Sequence, residues 1–158
     1  MEKKSPLILL GLFLLGGVYN FWTLRPVEVL HVDSDAGGTV VVVVDHMPWT
    51  DKEKIDWYLS RREALQKKYP LYDNHWHSYY IADIGDGFTN YNKSPGEDLL
   101  CFSTLKNDDN CIVKKYFLIV DEFSYKNTRF YVSGDETAYQ LTPDKKLEFV
   151  PLDEGWQQ

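Results

Sequence analysis

Positive charge, catalytic motifs and cysteine are all scarce in this chain. Its 158 residues carry 17 Lys and Arg against 24 Asp and Glu, a formal net charge of −7. A surface short of positive charge suits neither the phosphates of nucleic acid nor anionic lipid headgroups, so a basic protein is the better-matched partner. There is no GxSxG elbow, no glycine-rich phosphate loop and no dinucleotide fingerprint, which leaves the motif-bearing hydrolases and nucleotide enzymes without a foothold. Four histidines offer one close pair, His75 and His77 with Asp73 nearby. Alternate residues of a strand share a face, but His31 and His46 are distant in sequence and no third ligand is evident. EF-hand spacing is absent too. No metal, no cofactor and no enzymatic activity are expected.

Charge is missing most completely from Leu7 to Leu24, which holds none in 18 residues. As a helix, at about 1.5 Å per residue, it would span roughly 27 Å, close to a bilayer's hydrocarbon thickness of about 30 Å. Tyr19, Phe21 and Trp22 gather at its C-terminal end, where interfacial aromatics sit. A soluble core helix would show a polar face at helical period, and this one shows none. A cleaved signal has a shorter apolar region, about 7–15 residues, and a small-x-small site. Val18 to Trp22 provide no such site, and no cysteine lies near for lipoprotein processing. The expectation is a retained anchor over residues 1–25, crossing the inner membrane with residues 7–24. Lys3 and Lys4 stay cytoplasmic, and residues 26–158 lie in the periplasm of a Gram-negative cell. Beyond residue 24 the chain keeps 23 acids against 15 bases, a net charge near −8.

The two cysteines test that address. Cys101 and Cys111 bracket a polar loop, and an even count in an oxidising compartment favours a disulfide. Closing a loop of about eleven residues is worth roughly 2.5–3 kcal/mol on the chain-entropy account. Two unrelated buried thiols are the plainer alternative, and half a metal site the weakest one.

Periodicity then outlines a domain. Pro26 to Asp33 alternates as a half-buried strand, and Asp35-Ala36-Gly37-Gly38 is a turn. Val40 to Val44 is apolar on both faces, so it needs cover on both sides or a helix lying on it. Thr50 and Glu53 form a capping-box pattern behind Pro48. Ile55, Tyr58, Leu59, Arg62, Leu65 and Tyr69 recur at three- and four-residue steps, predicting an amphipathic helix from Asp51 to Tyr69 stopped by Pro70. Leu71 to His77 reads as loop, followed by a strand through Ile84 into the turn Gly85-Asp86-Gly87. Further strands are expected at Leu99–Phe102, Ile112–Asp121 and Lys146–Val150. Arg129–Ser133 and Glu136–Leu141 should pair through Gly134-Asp135. The fold class is α+β, an N-terminal transmembrane helix followed by a mainly antiparallel sheet packed on one amphipathic helix.

Five Trp and eleven Tyr exceed what so small a core can hide, so some should decorate a binding surface. Trp49, Asp73, His75, Trp76, His77, Asp83, Asp86 and Tyr91 are the candidates for it. Asp83 and Asp86 could work as a carboxylate pair in acid–base chemistry, though Asp86-Gly87 also shapes a tight turn.

The order LRPVEVLHV, HMPWTDKEKIDWYL, IADIGDGF, LLCF and NCIVKK resembles the DUF943 family of enterobacterial membrane proteins over nearly the whole chain. The most specific parts are Arg25-Pro26-Val27-Glu28, Pro48-Trp49-Thr50-Asp51 and Gly85-Asp86-Gly87, and both cysteines fit. The resemblance implies a membrane address and a disulfide, and it carries no catalytic residue over. Small anchored envelope proteins of this build are similar to immunity proteins, an analogy of architecture and charge. The leading expectation is a non-enzymatic, inner-membrane-anchored periplasmic binding protein of immunity type that meets a basic toxin. The alternatives are an accessory subunit of an envelope membrane complex and a small envelope hydrolase using Asp83 and Asp86.

Overall fold

Five consecutive valines form the spine of the fold, and the rest of the domain is arranged to cover them. The structure is a computed structural model and describes residues 6–23, 25–132 and 137–150. Helix α1 (Pro6–Thr23) comes first, its leucines and Phe13 exposed along its length. Among the described residues no helix is long and apolar enough to cross a membrane. The described residues therefore leave the expected spanning helix unsupported.

Strand β1 (Val29–Ser34) pairs antiparallel with β2 (Thr39–Val44), which holds the valines. Helix α2 (Asp51–Lys68) then carries the chain over to β3 (Trp76–Asp83), which runs parallel to β2. A parallel neighbour requires such a crossover. Strands β6 (Tyr116–Phe123), β7 (Arg129–Val132), β8 (Thr137–Leu141) and β9 (Leu147–Val150) continue antiparallel from β3. The seven-stranded order is β1-β2-β3-β6-β7-β8-β9, mainly antiparallel as expected, with one parallel pair. The short strands β4 (Leu99–Cys101) and β5 (Cys111–Val113) form a separate two-stranded sheet.

The capping box is present. Thr50 accepts the amide of Glu53 at 3.2 Å, and the Glu53 carboxylate accepts the amide of Thr50 at 3.3 Å. Ile55 and Tyr58 of α2 are buried against Val40, Val42 and Val44, joined by Tyr79, Ile81, Leu118, Val120, Phe130 and Val132 in the main core. The alternate Val43 faces the other way, into a second core with Ala82, Phe102 and Ile112. The valine run is thus covered on both sides, by α2 on one and by the small sheet on the other. Cys101 sits directly opposite Cys111 in that sheet, and the two form a disulfide.

Three expectations need correction. The single strand expected over Ile112–Asp121 is two strands in different sheets. Its break falls at the lysine pair, where the Lys114 amide donates to the Asp98 carbonyl of the small sheet's approach (2.8 Å) and the Lys115 carbonyl accepts from the Asp83 amide of β3 (2.9 Å). The loop expected through His77 ends earlier. Trp76 and His77 already pair with Phe123 and Glu122, so backbone pairing overrides the polar local composition. The first strand also starts later than Pro26, because Arg25 to Glu28 are engaged with the segment after β2 rather than with a strand partner. The expected β7–β8 pairing is present, and its Gly134-Asp135 turn lies outside the described residues.

Candidate binding surfaces

Because β2 and β3 run in parallel, their C-terminal ends lie together, with Val44 opposite Asp83. The same end holds the start of β1 and therefore the exit from α1. The eight candidates consequently divide. Trp49, Asp83 and Asp86 belong to the end next to α1, whereas Asp73, His75, Trp76 and His77 belong to the opposite end. Eight residues of β3, at about 3.3 Å each, separate the two by roughly 25 Å. Tyr91 is exposed in the turn after Thr89, which bridges to Cys111, and so belongs to the disulfide layer.

At the far end, Asp35 organises the turn after β1 by accepting from the amides of Gly37 (2.8 Å), Gly38 (3.0 Å) and Thr39 (2.9 Å). Those amides, Thr39 foremost, hold its carboxyl below its ordinary value despite some desolvation. The loop before β3 is laid on this turn. Tyr72 and Asp73 donate their amides to the carbonyls of Ala36 and Gly37, and Ser78 donates to Gly38. The approach is close at Gly38, where a Cβ would lie 3.2 Å from the Trp76 carbonyl oxygen. Asp73 in turn accepts the amides of His75 (2.8 Å) and Trp76 (3.3 Å), which lowers its carboxyl pKa, His75 contributing most. The His77 ring reaches the Asp73 carbonyl oxygen. His75 and His77 are therefore loop-shaping and surface groups. Among the described residues no group of three His, Cys, Asp or Glu is placed to hold a metal ion.

Trp76 is half exposed. Its ring stacks on Phe123 (centroids 6.0 Å apart) and its Nε1 donates to Asp121 Oδ1 at 3.2 Å, an oxygen that also accepts from Ser78 Oγ at 2.7 Å. Phe123 continues to the exposed Tyr125 at 5.7 Å, and the Lys126 ammonium lies 4.2 Å over the Phe123 ring. Tyr72 adds another exposed ring on the adjoining loop. The result is an aromatic corner of packed rings, with Trp76 fixed by its hydrogen bond to Asp121.

On the opposite face of the same strands, His77 lies beside Glu122, a buried acid. Its carboxylate accepts from Tyr58 Oη at 2.8 Å, from Arg62 Nη2, and from Thr128 Oγ1 at 3.3 Å. A cleft of about 150 Å³ opens above it between Gln66, His75, His77 and Phe123. Burial first, and then the Glu122 charge, push the Tyr58 hydroxyl pKa far upward, so it stays a neutral donor. The pattern is that of an internal charge balanced by its neighbours.

At the end next to α1, Asp83 Oδ1 accepts the amide of Gly85 at 2.8 Å, closing a turn in which Gly85 (φ +56°) and Gly87 (φ +113°) take backbone conformations open to glycine. Asp83, Asp86, Glu97 and Lys115 rim a shallow depression of about 250 Å³. Asp45 forms a second node there. It accepts the Glu28 amide at 2.8 Å, lies 3.7 Å from Arg25 Nη1, and lies 2.8 Å from His46 Nδ1, off the hydrogen-bonding direction. His46 Nε2 meets the Arg25 carbonyl oxygen at 3.0 Å. Partial burial pushes the Asp45 pKa up, but the Glu28 amide, His46 and Arg25 together outweigh it and hold the carboxyl low. Trp49, two-thirds exposed, rests edge-on against Tyr19 of α1 with centroids 5.4 Å apart.

Sequence reasoning missed Phe123, Tyr125 and Lys126 beside Trp76, and the Asp45–His46 node. The aromatics continuing past Asp121 were a visible signal, but joining them to Trp76 needs the β3–β6 register.

No curated protein and no solved structure matches the chain. A family model described as "Enterobacterial putative membrane protein (DUF943)" matches residues 2–150, nearly the whole length. The chain belongs to the DUF943 family.

Proposed function

We propose that this protein is an inner-membrane-anchored, non-enzymatic periplasmic binding protein. In this reading α1 is the retained anchor, Lys3 and Lys4 are cytoplasmic, and the sheet domain faces the periplasm. Three features support the address. The apolar side chains of α1 are exposed along its whole described length. The family is described as one of membrane proteins. A disulfide closes the small sheet, and disulfides persist in oxidising compartments. Spans of 17 residues upward are accommodated by local bilayer thinning, so the shortfall of α1 is within reach.

The observation that carries the binding reading is the aromatic corner of Trp76, Phe123 and Tyr125. It stands at the end of the sheet away from α1, where a partner in the periplasm would meet it. Preorganised aromatic side chains give large contact area at low entropic cost. A domain charge near −8 favours a basic partner. The specific role we favour is immunity, in which this surface occludes a toxin delivered by competing bacteria. A competition assay tests it. Deleting the gene should sensitise cells to the toxin-bearing competitor, the Trp76→Ala and Tyr125→Ala double variant should fail to restore protection, and Asp86→Asn should restore it. Unchanged resistance on deletion rejects the role. The same surface would serve an accessory subunit of an envelope complex, whose signature is copurification with other membrane proteins from detergent. A hydrolase centred on Asp83 and Asp86 has less support, because the Asp83 carboxylate is engaged by the Gly85 amide.

A further inference from the structure

The junction between α1 and the domain is a clamp. Within a few residues, Arg25 is tied to Asp45 and His46, Glu28 donates its amide to Asp45, and the Asp45 amide returns to the Glu28 carbonyl at 3.1 Å. Residues 25–28 are therefore fixed at both ends to the Asp45-His46 segment that follows β2. From that same segment Pro48 leads into Trp49, whose large ring stays mostly exposed while touching Tyr19. Tyr19 lies four residues before the end of α1, about 6 Å along the helix axis. Wherever that turn of α1 sits, the Trp49 ring sits beside it.

We infer that Trp49 is a second membrane contact, inserting into the boundary between headgroups and acyl chains of a zwitterionic phospholipid bilayer beside Tyr19, so that the domain stands base-down on the membrane instead of swinging on a tether. This rests on the proposed anchor. Trp and Tyr favour that boundary because their rings are apolar and their N–H and O–H groups stay within reach of headgroups. At this end the acids Glu28, Asp45, Asp83 and Asp86 outnumber the bases Arg25 and Lys115, so no basic patch is offered to anionic lipid, which is why a zwitterionic surface is specified. With the base so held, the Trp76–Phe123–Tyr125 corner points away from the bilayer by roughly the 25 Å length of β3.

The test uses the full chain reconstituted in phosphatidylcholine vesicles whose acyl chains are brominated near the headgroup. Bromine quenches nearby indole, and the other tryptophans are common to the wild type and Trp49→Phe. Both proteins should pellet with the vesicles. The wild type should lose the larger fraction of its emission to brominated lipid, and its spectrum should be shifted to the blue of the Trp49→Phe variant. Fractional quenching of the wild type equal to or smaller than that of Trp49→Phe, in two proteins that both pellet, overturns the inference and leaves the anchor standing. Failure of the wild type to pellet overturns both. Trp49 is two-thirds exposed and is part of neither core, so its replacement leaves the cores intact, and an unchanged circular dichroism spectrum checks this.

Discussion

The residue with most at stake is Glu122, a carboxylate buried in the main core's polar margin. Its three donors come from α2 (Tyr58 and Arg62) and from Thr128 just before β7, so one side chain links helix and sheet. Glu122→Ala leaves the Tyr58 hydroxyl buried without its acceptor and Arg62 without its counter-ion. Because Arg62 is about one-third exposed and can turn to water, the cost should fall near the lower end for a broken buried pair, about 3 kcal/mol. Tyr58→Phe removes one donor from a carboxylate that keeps two others and should cost about 1 kcal/mol. Urea unfolding of the two variants measures the ordering, and a Tyr58→Phe loss as large as that of Glu122→Ala would refute this division. None of this was legible from residue types. Arg62 was expected on the apolar face of α2, but an arginine on that face makes sense only once an acid from β6 is seen beneath it.

Single elements account for the next scale. The small sheet has three residues per strand, too few to stand alone, and it covers one side of the valine strand through Phe102 and Ile112. The disulfide joins its two directly opposed residues, so replacing both cysteines by serine should cost about 2.5 kcal/mol, less any strain relieved. The loss should be local. Hydrogen exchange should show β4 and β5 amides losing protection while β3 and β6 keep theirs, and equal losses in both would contradict the two-layer reading. Helix α2 is different, since its ends are set by chemistry written in sequence. Thr50→Ala removes the capping box and should cost about 1 kcal/mol in thermal or urea unfolding. Such local signals are why α2, its stop at Pro70 and the two-sided burial of the valines were readable beforehand. Pairing partners were not. The split at Lys114-Lys115, the parallel β2–β3 neighbours and the early start of β3 at Trp76 are set by contacts between segments far apart in sequence. A linear pattern of period two does not encode which sheet a strand joins. The candidate surface is divided for the same reason. None of the eight candidates is part of either core, but they fall at the two ends of β3 and in the disulfide layer, and only the register shows which belong together.

At the scale of the whole molecule, stability should be flat across neutral pH and fall at both extremes, for opposite reasons. Asp35, Asp45 and Asp73 all have folded-state carboxyl pKa values held below their ordinary 3.8 by amides or neighbouring cations. A depressed carboxyl contributes stability that is present above the unfolded value and is lost as pH falls through the folded one. The decline should therefore begin below about pH 4. Tyr58, Tyr79, Tyr80 and Tyr116 are shifted the other way by burial, and Tyr139 by donating to Asp51, all above the ordinary 10.0. A hydroxyl raised in the folded state contributes stability that is intact below the unfolded value. It is lost as pH rises beyond 10, because the unfolded chain ionises first. Unfolding free energies from urea titrations should accordingly hold level between about pH 5 and 9 and drop on either side. A paired measurement isolates the acid limb. Asp35→Asn cannot ionise, so its deficit relative to wild type should be largest at neutral pH and should shrink as pH falls below the ordinary 3.8, where the carboxyl of the unfolded wild-type chain protonates before that of the folded one. A deficit that stays constant across that range would mean that the turn amides recognise the shape of the side chain and not its charge.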